Sequence, residues 1–294
     1  MANTESASPR YHGLDSWSGG EILGALWEGQ ADGIAAVRAA LPAIDAAATA
    51  ACARLAQGGR LIYAGAGTSA RLAALDAAEL GPTFDFPESR IAVLVAGGEA
   101  ALARAVEDAE DDSQAAMQAL GALAVGPADV VLGVAASGGT PFTLACLVEA
   151  RRAGALTIAV INRANSLMQQ EAEHALLATT GAEVIAGSTR LKAGTAQKAM
   201  LNLFSTLVMT RLGHVYDGRM VDMRLSNAKL RTRARGMVAE LAGCDEEQAA
   251  AALAQVSRIK PAVLVACGAT PEQAADLLAR HGGHLRPALQ EWRA

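Results

Sequence analysis

From Arg60 to Ile161 one pattern recurs: a short apolar run, a turn carrying glycine or hydroxyl residues, then a segment with helical spacing. The runs are Leu61–Ala64, Ile91–Val95, Val130–Val134 and Leu156–Ile161. Runs this short suit strands rather than core helices, and strands that alternate with helices build a parallel sheet. The predicted class is α/β. Open sheets of this kind bind ligands beyond the carboxyl ends of their strands, so the turns after the runs are where function is to be sought.

The flanks read differently. Residues 20–56 are alanine-rich with leucine and isoleucine at helical spacing, which predicts one or two packing helices ahead of the first strand. Beyond Arg235 the glycine turns stop, and "CDEEQAAAAL" and "TPEQAADLL" each begin with a helix cap, Asp245 with Gln248 and Thr270 with Gln273. The expected organisation is an N-terminal helical segment over 1–50, a ligand-binding sheet domain over 51–235 and a small helical domain over 236–294. With 52% apolar residues in 294, the chain can bury a substantial core. A formal net charge of −5 and only 3% aromatic residues supply neither a phosphate-neutralising surface nor a base-stacking platform, so no nucleic-acid partner is expected. The first twenty residues are polar and no later run has the length of a bilayer span, which predicts a cytoplasmic protein without a membrane partner. Cys52, Cys146, Cys244 and Cys267 stand far apart, as isolated buried thiols do.

The first turn, "GAGTSA", fits the G-x-G-x-x-G/A pattern of dinucleotide sites. That fingerprint needs an acid at the end of the second strand, whereas Asp85 and Glu88 precede the strand and it ends in "VAGGEA". What the turns share is hydroxyls: Thr68 and Ser69 after the first run, Ser137 and Thr140 in "AASGGTPF" after the third, and Ser188 in "AGSTRLKAGT" with Lys192 close by. Hydroxyls beside the free N–H groups of helix starts suit a phosphate dianion and sugar hydroxyls. Any single serine here reads better as an N-cap; three such loops on one sheet edge make a sugar-phosphate crevice.

These motifs resemble those of the N-acetylmuramic acid 6-phosphate etherases, whose sugar-isomerase (SIS) fold also occurs in glucokinase regulatory proteins. The likeness runs from about Thr4 to the C-terminus and is densest in "GAGTSARL", "AVEDAEDD", "AASGGTP", "GSTRLKAGTAQKAMLNLFST" and "MVDMRLSNAKLR". It implies a three-layer SIS domain, a small helical C-terminal domain, a homodimer, and no metal or cofactor. It assigns Thr68, Ser69, Ser137, Gly138, Gly139, Thr140, Ser188 and Lys192 to the substrate. Three positions depart from the family pattern. Gly139 occupies an arginine slot, Leu80 and Gly81 replace Cys-Pro, and Ala70 replaces a glycine.

The implied reaction removes a lactyl ether from carbon 3 of an amino sugar. Opening the ring gives an aldehyde that acidifies the hydrogen at carbon 2, so a base removes it while an acid protonates the departing ether oxygen. Water then adds at carbon 3. The scheme needs two acid–base groups, which glutamates can supply. By the resemblance, Glu79 in "DAAEL" is the proton donor to the leaving lactate and Glu110 in "DAEDD" is the second catalytic glutamate, assigned as the base. On the residues alone, Asp111 with Gln114 reads as a helix start, and Glu107 and Glu110 would share a helical face. His281 and His284 read as a turn, and His214 as a helix-terminal cation. The alternatives are a non-catalytic sugar-phosphate sensor and a sugar-phosphate isomerase on the same fold. An unbroken helix from Thr68 to Glu79 spans roughly 16 Å, too far for one hexose phosphate. Either the helix ends early and the chain turns back, or Glu79 serves the partner subunit's crevice; the second is the favoured expectation.

Overall fold

The computed structural model describes residues 4–104 and 106–294; the first three residues and Ala105 lie outside the described residues. Helices α1 (Gly19–Val37) and α2 (Leu41–Leu55) lead into β1 (Leu61–Gly65), α3 (Gly67–Phe84), β2 (Ile91–Val95), α4 (Ala100–Ala103) and α5 (Ser113–Ala122). There follow β3 (Val130–Ala135), α6 (Pro141–Arg152), β4 (Leu156–Ile161), α7 (Leu167–Glu171), β5 (His174–Leu177) and α8 (Lys192–Arg211). A two-strand hairpin, β6 (Val215–Tyr216) with β7 (Arg219–Met220), precedes α9 (Ala228–Ala242), α10 (Glu246–Val256), α11 (Ile259–Ala266), α12 (Pro271–Arg280) and α13 (Leu285–Arg293).

Contacts divide the chain into two compact units, Met1–Ala78 with Ser89–Thr206, and Glu79–Glu88 with Leu207–Ala294. The N-terminal helices therefore belong to the first unit, and the boundary expected at 235/236 falls inside α9. In the first unit β1 to β5 form one parallel sheet in the order β2-β1-β3-β4-β5. The four expected runs are strands to within one residue, because each is a continuous apolar stretch closed by a turn. The fifth strand, "HALL", was not anticipated.

Side chains alternate across the sheet. Ile62, Ala64, Val131, Ala135, Ala159 and Ile161 pack with Ala116 and Leu120 of α5 and with Phe142, Cys146, Leu147 and Ala150 of α6. Burial there pushes the Cys146 thiol up to about 12. Tyr63 points to the opposite layer and is fully buried; its hydroxyl donates to Asp76 Oδ2 of α3 at 2.8 Å, and Ser205 Oγ of α8 donates to Asp76 Oδ1 at 3.0 Å. Burial pushes the Asp76 carboxyl above its ordinary value, against the Tyr63 and Ser205 hydrogen bonds and the Lys198 charge. The sheet is thus covered on both faces, as a parallel sheet requires.

Residues 19–55 contain an 18-residue stretch apolar enough for a bilayer span, with a mean hydropathy of 1.4. Of that stretch 33% is buried, and the glycines of α1 bring that helix onto α8 and the segment before it. A Cβ on Gly33 would stand 2.6 Å from the Lys192 carbonyl oxygen, and one on Gly29 would stand 3.2 Å from Val184. The helix thus crosses the start of α8 at backbone contact, which only glycine permits.

The second unit has its own core of Val221, Val238, Ile259, Val263, Leu264, Leu277 and Leu289. Both anticipated capping boxes form, Asp245 with Gln248 and Thr270 with Gln273. His214 lies beyond α8 rather than ending it, with Nδ1 2.8 Å from Asp222 Oδ2 and its ring edge-on to Phe86. Asp222 also pairs with buried Lys260 at 2.5 Å. His281 pairs with Glu291 at 2.6 Å, and no group of three metal-ligating side chains occurs among the described residues.

Candidate active site

The strand order sets the place of the site. After β1 the chain adds β2 on one side and then returns to add β3 on the other, so the connections leaving β1 and β3 diverge. A crevice opens at such a reversal point. The hydroxyl turns Thr68–Ser69 and Ser137–Thr140 follow these two strands, and Gly65 and Val134 are register partners at their ends.

The glycines of the first turn answer to local packing. A Cβ on Gly65 would lie 3.0 Å from the Ala70 nitrogen, because α3 folds back onto the strand end, and Gly67 has φ +53°. Neither role requires a dinucleotide. Ala70 is fully buried in that contact. The Ser69 hydroxyl is not spent on capping α3; it donates to Gln197 Oε1 of α8 at 3.0 Å. The Thr68 methyl lies 3.7 Å from where a Cβ on Gly194 would stand, so the start of α8 backs this turn.

In the second turn Gly138 has φ +63°, and a Cβ there would come within 2.3 Å of Ser166 Oγ. Ser137 Oγ accepts the Gly139 N–H at 3.2 Å. Thr140 occupies the N-cap of α6, yet its side chain makes no capping bond. Gly139 has open space within 4 Å of its missing Cβ and no positive φ, so the chain does not demand glycine in this slot.

The third element is the start of α8. Glu183 is buried, and its carboxylate accepts the N–H of Lys192 at 3.2 Å and that of Ala193 at 2.9 Å. Burial raises the Glu183 pKa, opposed by these two bonds and by the Lys192 charge. Lys192 is itself buried in the first turn, and the Ser188 N–H donates to the Ile185 carbonyl at 3.0 Å.

Glu110 lies in a 3-10 turn, Ala109–Asp111, and is exposed to a cavity of about 300 Å³. Thr68, Arg71, Arg104, Glu107 and Glu110 line it, so one concavity holds the first hydroxyl turn and one predicted catalytic glutamate. Arg71 fastens the segment in between. Its Nε donates to the Leu102 carbonyl at 2.9 Å and its Nη2 to those of Ala101 at 3.0 Å and Arg104 at 3.3 Å. Two local expectations fail here. Asp112, not Asp111, caps the following helix by accepting the Ala115 N–H at 2.8 Å. Glu107 and Glu110 share no helical face, because Asp108 between them has φ +57°.

Glu79 is exposed on α3 and belongs to the second unit, while residues of the first unit alone line the Glu110 cavity. Helix α3 runs unbroken past Glu79 to Phe84 with Pro82 inside it, so the chain does not turn back early. Arg71, Glu183 and Gln197 were missed from sequence. The one signal was the lone acid in "GAEVIAG".

Residues 44–151 match the N-terminal SIS domain of glucokinase regulatory protein, and residues 100–207 match the SIS domain family. The structure of a phosphoheptose isomerase from Francisella tularensis superposes with a TM-score of 0.51 at 20% identity, covering 66% of this chain and 100% of that one. Sheet order, switch-point turns and these matches define an α/β protein of the SIS class. An N-acetylmuramic acid 6-phosphate etherase of Deinococcus radiodurans is 45% identical over 99% of this chain and 96% of its own length. One from Erwinia tasmaniensis is 45% identical over 98% of this chain and 94% of its own. The chain belongs to the N-acetylmuramic acid 6-phosphate etherase family.

Proposed function

We propose that the protein cleaves the lactyl ether of N-acetylmuramic acid 6-phosphate, giving N-acetylglucosamine 6-phosphate and D-lactate in the recycling of peptidoglycan amino sugars. The observation that carries this reading is 45% identity to etherases over almost the whole chain, and the sequence resemblance supports it by assigning the two catalytic carboxyl groups to Glu79 and Glu110. The hydroxyls of Thr68, Ser69, Ser137, Thr140 and Ser188, the backbone of Gly138 and Gly139, and the Lys192 ammonium bind the sugar phosphate. Glu110, beside the first turn, removes the hydrogen at carbon 2 of the open-chain sugar. Glu79 protonates the ether oxygen as lactate leaves; its carboxylate then takes a proton from the water that adds to the unsaturated aldehyde at carbon 3, and Glu110 returns its proton to carbon 2. A sensor of sugar phosphate would need neither carboxyl group, and an isomerase would need no acid for a leaving group. Release of lactate from the 3-O-lactyl sugar phosphate tests the reading. Binding without turnover would refute it.

The protein acts in the cytoplasm as a homodimer, with Glu79 completing the partner subunit's crevice. Eleven residues of unbroken helix carry Glu79 roughly 16 Å from Thr68, and an apolar stripe on α1 is available to a partner, with Leu23 68%, Trp27 71% and Ile34 52% exposed. Refolding a mixture of Glu79→Ala and Glu110→Ala chains should restore activity through heterodimers that hold one intact site. Verified heterodimers without activity would place both glutamates on one chain.

A further inference from the structure

Gln197 stands in the second turn of α8 and is 1% exposed, although glutamine is ordinarily a surface residue. Its Oε1 accepts the Ser69 hydroxyl hydrogen at 3.0 Å, while its buried Nε2 has no hydrogen-bond partner among the described residues. A buried amide left with unpaired N–H groups is unfavourable and is rare in folded proteins. A hydroxyl has one hydrogen. With that hydrogen committed to Gln197, Ser69 presents only lone pairs to a ligand. A phosphate dianion likewise offers only acceptor oxygens, so Ser69 in this state cannot bind it. Rotating the terminal amide by 180° keeps the shape of the side chain and exchanges oxygen for nitrogen. Nε2–H then donates to Ser69 Oγ, and the Ser69 hydrogen is free to donate to the phosphate.

We propose that Gln197 is a positioning residue that sets, through Ser69, the direction of the hydrogen bond by which the first turn selects an anionic sugar. This rests on reading that turn as part of the sugar-phosphate crevice. Without an anion the amide holds the Ser69 hydrogen. With a phosphate oxygen present, the chain becomes Gln197 N–H to Ser69 oxygen and Ser69 O–H to phosphate. Only a carboxamide can do both. A carboxylate at this position accepts in either orientation and keeps the Ser69 hydrogen permanently.

The test is a double-mutant cycle read by calorimetry with N-acetylglucosamine 6-phosphate and unphosphorylated N-acetylglucosamine, with lactate-release kinetics and thermal melting on every variant. Ser69→Ala is expected to weaken sugar-phosphate binding roughly 10- to 100-fold, the usual loss for a hydrogen bond to a charged group. Gln197→Met should weaken it less, and adding Gln197→Met to Ser69→Ala should weaken it no further. Gln197→Glu should match or exceed the Ser69→Ala loss and leave the unphosphorylated sugar little affected. Because the phosphate does not react, the losses should appear in KM, with kcat within about threefold. Multiplying losses in the Ser69→Ala, Gln197→Met pair would overturn the proposal, as would affinities that merely follow melting temperature. If Gln197→Glu does not fold, the Gln197→Met cycle still decides. A wild-type protein that does not distinguish the two sugars would remove the reading of the crevice and the proposal with it; discrimination with an additive cycle removes the proposal alone.

Discussion

Arg71, two residues beyond the first hydroxyl turn, ties α3 to the segment that leads to Glu110, and its removal gives a sharp test. Helix α4 is a single turn, so its end leaves carbonyls without intrahelical partners, and the Arg71 guanidinium supplies donors to those of Ala101, Leu102 and Arg104. Two of these bonds, at 2.9 and 3.0 Å, have full-strength length, and the third is longer at 3.3 Å. A bond to a charged donor contributes about 1.5–3 kcal/mol when sheltered, and Arg71 is half-buried, so about 1–1.5 kcal/mol for each of the two short bonds is reasonable. Arg71→Ala should therefore cost about 2–3 kcal/mol in stability and lower Tm by several degrees. The catalytic effect should be of similar size, because a misplacement of about 1 Å at a reacting group is worth about 100-fold, or about 2.7 kcal/mol. We expect kcat for lactate release to fall about 100-fold, with a smaller change in KM. Arg71→Lys should recover part of the loss, since an ammonium can reach one or two carbonyls but not the full fork. Added guanidinium ion should restore activity to the alanine variant. If Arg71→Ala melts earlier yet keeps its kcat, the loop does not depend on Arg71 for its geometry and the reasoning fails.

Three further outcomes are expected. Glu79→Gln should still exchange the carbon-2 hydrogen for solvent deuterium while releasing little lactate, whereas Glu110→Gln should lose both; equal loss of exchange and release in Glu79→Gln would remove its role as a dedicated acid. Gly139→Arg should fold with an unchanged melting temperature, because a side chain there meets open space, and it should tighten sugar-phosphate binding several-fold; weaker binding would show that the slot does not face the phosphate. For Asp129, burial pushes the carboxyl up, but bonds from Arg60 and the Gly126 N–H outweigh it and hold the pKa below the ordinary value. A depressed folded pKa stabilises above the unfolded value, about 3.9, and is lost as pH falls through the folded one. Asp129→Asn should thus lose roughly 2–4 kcal/mol at neutral pH and progressively less in acid, and a loss independent of pH would contradict the pairing.

The sheet was legible because its signal is local. Each of Leu61–Gly65, Ile91–Val95, Val130–Ala135 and Leu156–Ile161 is a largely apolar run closed by a turn; three are buried on both faces, and Ile91–Val95, at the sheet edge, is half-buried. His174–Leu177 escaped because it has four residues, three of them half-buried, and follows a helix of only five. Pro82 lies inside α3, where proline removes one helical bond and often ends the helix. Here only two residues of helix follow it, so little further helix depends on the turn it weakens.

The site was legible in its residue types and illegible in their connections. A serine or threonine at the start of a helix satisfies the same pattern whether it caps the helix or waits for a ligand, and the choice depends on what else comes within 3 Å. Thr140 sits at an N-cap without capping, and Ser69 is engaged by an amide 128 positions away. Arg71 reaches carbonyls 30 to 33 residues on. Glu183 is nearer, nine and ten residues before the N–H groups it caps, but its burial, which makes the charge matter, comes from packing. Periodicity and capping rules describe separations of about four residues or fewer, so they place Thr68, Ser69, Ser137 and Thr140 just after β1 and β3 and cannot say which direction each hydrogen points. That direction decides whether a hydroxyl can bind an anion, and Gln197 decides it for Ser69.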